Sequence, residues 1–189
     1  MSDLSYKVNQ DSQLQFRVEQ FYYQEAHLLD SREFYQWVTL LTADMQYIMP
    51  GRYSPQRDSK KRGQENFLAV DDELQREAID AVPLREENAL IMAFRAQRAY
   101  KANAWGSNPP ARTRRLISNV IVEVLDGKAE YRVKSNFILY YSRHRQDNHI
   151  YSGQRIDCLY EVDGVFKIAR REVILDWNVI TAPTVGLFF

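Results

Sequence analysis

The sequence predicts an α+β domain with helices first and a long antiparallel sheet after them. Three observations carry this. Apolar residues recur at helical spacing near the start: Leu14, Val18, Phe21, Tyr22, Ala26 and Leu29, then Phe34, Trp37, Val38 and Leu41. Between Arg114 and Leu175, β-branched and aromatic residues alternate in successive runs bounded by turn residues. Asn108-Pro109-Pro110 separates the halves, because Pro lacks an N–H and drives its predecessor out of the helical region. A chain of 189 residues can bury one core unaided. No repeat or linker divides it, so residues 1–189 read as a single domain, with 1–11 a flexible N-terminal segment.

Ser12, with Gln15 three residues on, forms a capping box that starts the first helix, which runs through Asp30. Asp30 can cap a second helix carrying Phe34, Trp37, Val38 and Leu41. Met45 to Met49 alternates and stops at Pro50-Gly51, which predicts a short strand. Arg52 to Asn66 is polar, with Arg52, Arg57, Lys60, Lys61 and Arg62 set against Asp58 and Glu65. No aromatic interleaves Lys60-Lys61-Arg62 as a single-strand binder requires. The stretch therefore reads as a solvated loop, or a rim facing acidic groups of another subunit. A short helix is predicted over Asp71 to Ala81 and a longer one over Leu84 to Tyr100, after Pro83. Arg114 to Leu125, Glu130 to Tyr141, Ile150 to Glu161 and Val165 to Leu175 then read as strands. Turns at Asp126-Gly127 and Asp163-Gly164 join consecutive strands as an antiparallel meander, with the helices on one face of a curved sheet.

Composition narrows the function. The 25 basic and 25 acidic residues balance, which argues against a general nucleic-acid or acidic-membrane binder. No window approaches the roughly 20 apolar residues of a membrane helix, and the polar N-terminus is not a signal peptide. The single cysteine, Cys158, excludes an internal disulfide and fits a cytoplasmic location; it reads as a small core residue. The aromatic content, 12 Tyr, 9 Phe and 3 Trp, fits either a tyrosine-packed β-protein or an obligate oligomer.

Chemistry-bearing groups are few. His144 and His149 flank Asp147, the residue types of a two-histidine, one-carboxylate iron site. They fall at a predicted hairpin tip, where the supporting shell of a metal site is rare, so a structural role is favoured. His27 beside the first helix's apolar face reads as a satisfied core or edge histidine. Asp157, in the third long strand, could act as a general base with Tyr140 or Tyr160 as donor. The favoured reading pairs it with a nearby arginine such as Arg155 or Arg170. Phosphate-binding glycine loops and a Gly-x-Ser-x-Gly elbow are absent.

Several stretches together carry a family likeness: Glu25 to Asp30 with Trp37 and Tyr47 to Pro50; Trp105; Asn108 to Arg114; Ile117-Ser118-Asn119-Val120; Arg155; and Arg170 to Asp176 before an apolar end. In this order and spacing the chain resembles the small (β) subunit of bacterial aromatic-ring-hydroxylating dioxygenases. The likeness is to the biphenyl, toluene, cumene and phenylpropionate branch rather than the naphthalene branch. Arg115 departs from the pattern, standing where relatives commonly place a histidine, and the polar stretch from about Asn66 to Pro83 is longer than in many relatives.

The resemblance implies a cone-shaped fold like nuclear transport factor 2 and scytalone dehydratase. It implies a structural, non-catalytic subunit of the terminal oxygenase in aromatic hydrocarbon catabolism. The partner would be a large (α) subunit carrying a Rieske [2Fe-2S] cluster and mononuclear Fe(II), in an assembly of three large and three small subunits. Electrons would come from NADH through a reductase and ferredoxin. This chain lacks the Cys-x-His and Cys-x-x-His ligands of a Rieske centre, so no cofactor, metal or catalytic residue is expected in it. The expected subunit interface comprises Trp105, Arg112, Arg114, Arg115, Trp177, Leu187, Phe188 and Phe189. Residues Trp177 to Phe189 should pack on their own sheet or on a neighbouring subunit. The alternatives are a stand-alone isomerase or dehydratase of the same fold using Asp157 and tyrosines, and a binding module without a catalytic partner.

Overall fold

The computed structural model describes residues 11–76, 82–104, 108–125, 130–145, 147–182 and 184–189. Helix α1 spans Ser12–Asp30 and is capped by Asp11, whose carboxylate accepts from the N–H groups of Gln13 (2.9 Å) and Leu14 (3.2 Å). Ser12 is thus the first helical residue rather than the cap. Carboxylate and hydroxyl compete for one role, and the carboxylate also favours the positive helix end. Arg32, at φ 61°, turns the chain into α2, Phe34–Val38. Asp30 does not cap that helix. Glu33 occupies the position without a side-chain hydrogen bond, and Asp30 points instead at the sheet.

The strands are β1 (Leu41–Met49), β2 (Gly51–Arg52), β3 (Leu74–Gln75), β4 (Arg85–Asn88), β5 (Arg112–Val124), β6 (Glu130–Arg143), β7 (Asp147–Val162) and β8 (Val165–Leu175). Six form one sheet in the order β4-β1-β8-β7-β6-β5, while β2 and β3 make a small separate ribbon. The predicted meander holds from β5 to β8. The sheet is nevertheless mixed, because β1 lies parallel to β8. The predicted helix over Leu84 to Tyr100 divides into β4 and a helix α3 at Ala89–Ala99. Asn88 decides the boundary: its side chain caps the Ile91 N–H at 3.0 Å, and the alternating residues before it pair with the open edge of β1. The helix predicted over Asp71 to Ala81 appears as a short 3-10 turn, Val70–Glu73, followed by β3, and 77–81 lie outside the described residues. The Asp126-Gly127 turn also lies outside them, although β5 and β6 pair antiparallel as it requires.

Strand periodicity sorts the sheet into two faces. Val133, Ser135, Phe137, Leu139 and Tyr141 of β6 are buried, as are Tyr151, Arg155, Asp157 and Leu159 of β7. With Ile168, Arg171, Val173 and Leu175 of β8 they form the concave wall that α1 and α2 close. Gly153 marks the tightest point: a Cβ there would stand 2.2 Å from the Ile174 carbonyl oxygen, so no other residue fits without moving β8.

Strand β5, an edge of the sheet, would expose a long row of unpaired backbone groups. Side chains from α1 and the turn after it cover them. Gln15 Nε2 donates to the Val120 oxygen (2.9 Å), the Arg115 N–H donates to Asp30 Oδ2 (2.8 Å), and Arg32 Nη2 donates to the Ala111 oxygen (2.9 Å). Asp30 also accepts from the Thr113 hydroxyl at 2.8 Å and pairs with the Arg115 guanidinium. One carboxylate thus anchors the helix to the sheet and caps the edge.

Candidate functional site

Inside the cone lies a cluster of four charged side chains, all essentially excluded from solvent: Glu25 of α1, Arg155 and Asp157 of β7, and Arg171 of β8. Alternation sends Arg155 and Asp157 inward together, and the β7–β8 register sets Asp157 opposite Arg171. Glu25 reaches them because it stands in the same buried stripe as Phe21, Tyr22, Leu28 and Leu29. A carboxylate within an apolar helical stripe is the sequence signal for this member of the cluster.

The guanidinium of Arg171 is saturated. Its Nε donates to Asp157 Oδ1 (2.9 Å), Nη1 to Glu25 Oε1 (2.6 Å) and the Phe189 oxygen (3.0 Å), and Nη2 to Asp157 Oδ2 (2.7 Å) and Glu25 Oε2 (3.0 Å). An arginine carries five N–H donors, and every one is used. Trp37 Nε1 (3.0 Å) and Arg155 Nη1 (3.1 Å) complete Glu25, while the Tyr22 hydroxyl (2.9 Å) completes Asp157. Burial alone would raise the Glu25 carboxyl, but Arg171 and Arg155, with the hydrogen bonds from Arg171 and Trp37, outweigh it and lower it to about 2. Burial, reinforced by Asp157, pushes the Tyr22 hydroxyl well above its usual range. Two cations therefore balance two anions, as buried charge requires.

The partner of Asp157 is Arg171, its cross-strand neighbour on the inner face, rather than Arg170, which alternates onto the outer face, or Arg155, which shares the inner face but pairs with Glu25. Tyr140 and Tyr160 lie on the outer face, and Tyr22 is the tyrosine in contact. A carboxylate held by a bidentate guanidinium and a phenol has no free basic lone pair aimed at open space.

The C-terminal segment fills the remaining volume. Phe189 packs among Phe137 and Tyr151 at ring separations of 5.7 and 5.3 Å, and Phe188 against Trp37 at 4.5 Å. Arg115 donates to the Phe188 oxygen. Of the residues expected at a subunit interface, Arg115, Phe188 and Phe189 are buried within their own chain. Trp177 stacks on Tyr151 at 5.1 Å, Leu187 is half-buried, and Arg112 and Arg114 are exposed. Trp105 lies outside the described residues.

The other candidates do not assemble. His144 is exposed in the β6–β7 turn at φ 56°, and His149 lies on β7 with its ring nitrogen 3.4 Å from Asp147. Among the described residues no group of three or more His, Cys, Asp or Glu is placed to hold a metal ion, and no helix is long and apolar enough to cross a membrane. His27 is exposed rather than in the core. Cys158 also leaves the core, because it alternates with Asp157 onto the outer face. There burial and the Glu130 carboxylate, 3.1 Å from its Sγ, push its thiol up to about 12. A groove of about 260 Å3 between α2 and α3, lined by Tyr35, Val38, Leu90, Ala93, Phe94 and Gln97, offers no acid–base pair.

Acid titration should report the cluster. The folded carboxyl of Glu25 lies below its ordinary value of 4.5, so its contribution is complete above that pH and is lost as pH falls toward 2. The contribution is on the order of 3 kcal/mol. Unfolding free energies measured from pH 7 to 2 should fall in that window, and Glu25→Gln should flatten the fall.

A family model described as the ring hydroxylating beta subunit matches residues 24–182. A benzene 1,2-dioxygenase subunit beta from Pseudomonas putida is 34% identical over 182 residues, 94% of this chain and 89% of that protein. A biphenyl 2,3-dioxygenase subunit beta from Rhodococcus jostii is 32% identical over 184 residues, covering 95% of this chain and 90% of the relative. Among solved structures, a naphthalene 1,2-dioxygenase with indole bound in its active site contains a chain that superposes with a TM-score of 0.80. The identity is 23%, with 96% of this chain and 88% of that one covered, a likeness of fold.

Proposed function

The chain belongs to the ring hydroxylating β-subunit family, and from that premise we propose that it is the structural, non-catalytic small subunit of the terminal oxygenase of an aromatic-ring dioxygenase. The observation that carries the non-catalytic role is the commitment of both interior carboxylates to arginine. Arg171 has no donor left, Asp157 and Glu25 are bound by its guanidinium and buried away from solvent, and Phe188 and Phe189 occupy the cone. An isomerase or dehydratase of this fold would need a cavity with an available base; the groove between α2 and α3 offers no acid–base pair, and Asp157 is taken up by Arg171 and Tyr22.

The reading supplies a large subunit as partner, and the oxidative chemistry belongs there. That subunit would carry the Rieske cluster and mononuclear iron, with electrons from NADH through a reductase and ferredoxin. Three copies of each would form the complex, in the cytoplasm. The exposed apolar residues of this chain are consistent with burial in such an assembly. Co-expression with the large subunit tests this directly. One-to-one co-purification with an iron–sulfur chromophore is expected, with ring dihydroxylation by the complex and none by the small subunit alone. Isomerase or dehydratase turnover by the isolated chain, insensitive to iron chelation, would overturn it.

A further inference from the structure

The outer face of the sheet presents a three-by-three lattice fixed by strand register. Its rows are Arg112, Ser142 and Asn148; Arg114, Tyr140 and Ile150; and Leu116, Ile138 and Ser152. Leu116 is 64% exposed and Ile150 58%, with Ile138 and Tyr140 also open to solvent. The side chains of Arg112 and Arg114 are exposed and make no polar contact among the described residues. Strand spacing near 4.8 Å and a two-residue repeat near 6.8 Å give the lattice an area of about 300 Å2. That is the size of an interface core within the roughly 800 Å2 that a stable partner covers. Aliphatic groups beside unpaired arginines call for an occupant bearing both apolar side chains and carboxylates.

The chain itself contains such a segment. Leu68 and Val70 are exposed, and Asp71 and Asp72 follow them. Asp71 keeps 83% of its side-chain surface although it pairs with Arg76, and Asp72 keeps 44% although it lies 3.6 Å from the Lys61 ammonium. The segment is held beside β8, through Arg76 on Glu172 (2.6 Å) and Arg52 on Glu73 (2.7 Å). It therefore lies on the far side of β7 and β6 from Arg112 and Arg114 and cannot fold back onto them. Both features sit at the same end of the sheet, because Leu175 pairs with Gly153, next to Ser152 of the lattice. A surface and its complement at opposite flanks of one end make a head-to-tail contact, which closes into a ring when the rotation between copies is a whole fraction of a turn; the small-subunit reading takes that fraction as one third.

We propose that the lattice centred on Tyr140 seats segment 68–72 of a second copy of this chain, Leu68 and Val70 against Leu116, Ile138 and Ile150, and Asp71 and Asp72 against Arg112 and Arg114. This rests on the small-subunit reading in taking the chain to self-associate, and it names the two surfaces that meet.

Disulfide trapping in the full-length chain tests it. In a Cys158→Ser background, Val70→Cys with Ile138→Cys should oxidise to covalent trimers on a non-reducing gel. Each single variant should remain monomeric there, and an equimolar mixture of the two should stop at covalent dimers. Arg112→Glu with Arg114→Glu should raise the self-dissociation constant at least tenfold by native mass spectrometry. Adding Asp71→Arg and Asp72→Arg should recover most of that loss, and circular dichroism confirms that each variant folds. Absence of inter-chain disulfide in a wild-type-like oligomer would overturn the proposal. So would a monomeric wild-type chain at about 50 µM, or glutamate variants that keep self-association while losing the large subunit. If trapping fails yet the iron–sulfur partner still co-purifies, the functional reading stands and only the surface is wrong. If trapping succeeds in a chain that captures no such partner, the surface stands and the functional reading falls.

Discussion

Replacing Arg171 with methionine is expected to cost about 3 to 5 kcal/mol of folding free energy, because it leaves two buried carboxylates with a single remaining cation. Methionine keeps much of the length and none of the five donors. Asp157 would retain only the Tyr22 hydroxyl, and Glu25 would retain Trp37 and Arg155. The interior then carries one uncompensated negative charge, which protonation relieves. The sign of the pH response should therefore reverse. Wild type loses stability as pH falls below the ordinary carboxyl value. Arg171→Met should gain stability on going from pH 8 to pH 5, since a carboxyl whose folded pKa is raised stabilises the fold below that pKa and ceases to do so above it. Chemical denaturation at the two pH values measures both the loss and the slope. Arg171→Lys should recover only part of the loss, because an ammonium offers three donors where five acceptor contacts are made. A variant with wild-type stability and slope would mean that the cluster is not the keystone of the cone.

The ion cluster also shows how far a sequence of this kind can be read. Alternation along the strands displays Asp157 and Arg155 on one face, and the helical stripe containing Tyr22 is equally plain. Which arginine meets Asp157 depends on the register between β7 and β8, a non-local property that periodicity within either strand does not contain. Glu25 was hidden for a related reason. A carboxylate in an apolar stripe becomes interpretable only once the cations opposite it are known. The same limit explains β4: Arg85 to Asn88 have no marked strand propensity and take that form because β1 offers them an unpaired edge. The helix boundary at Asn88 was legible in principle, through the capping preference of asparagine. The meander, by contrast, rests on local alternation and tight turns, and it stands as read.

Deleting Val185 to Phe189 is expected to remove the folded chain altogether, and only as a consequence to remove assembly. The tail is core. Phe188 and Phe189 lie between α2 and the sheet with almost no exposed surface, and truncation of a buried Phe costs about 3 to 5 kcal/mol. The backbone is held as well. Tyr151 Oη donates to the Thr184 oxygen (2.6 Å), Arg85 Nε to Val185 (2.9 Å), and Arg95 Nη2 to both Gly186 (2.9 Å) and Leu187 (2.9 Å). Arg115 and Arg171 hold the last two carbonyls from inside the cone. Removing the segment empties a cavity sized for two phenyl rings and strands donors on four arginines, together comparable to the whole 5–15 kcal/mol stability of a domain. Phe189→Ala separates the two consequences. It should lower the denaturation midpoint by an amount equivalent to about 3 kcal/mol, while the variant, still folded at low temperature, captures the large subunit as wild type does. Loss of capture at unchanged stability would instead place the tail in the interface. The burial of Phe189 behind Tyr151 and Phe137 argues for the first outcome, since a ring with no exposed surface has nothing to offer a partner.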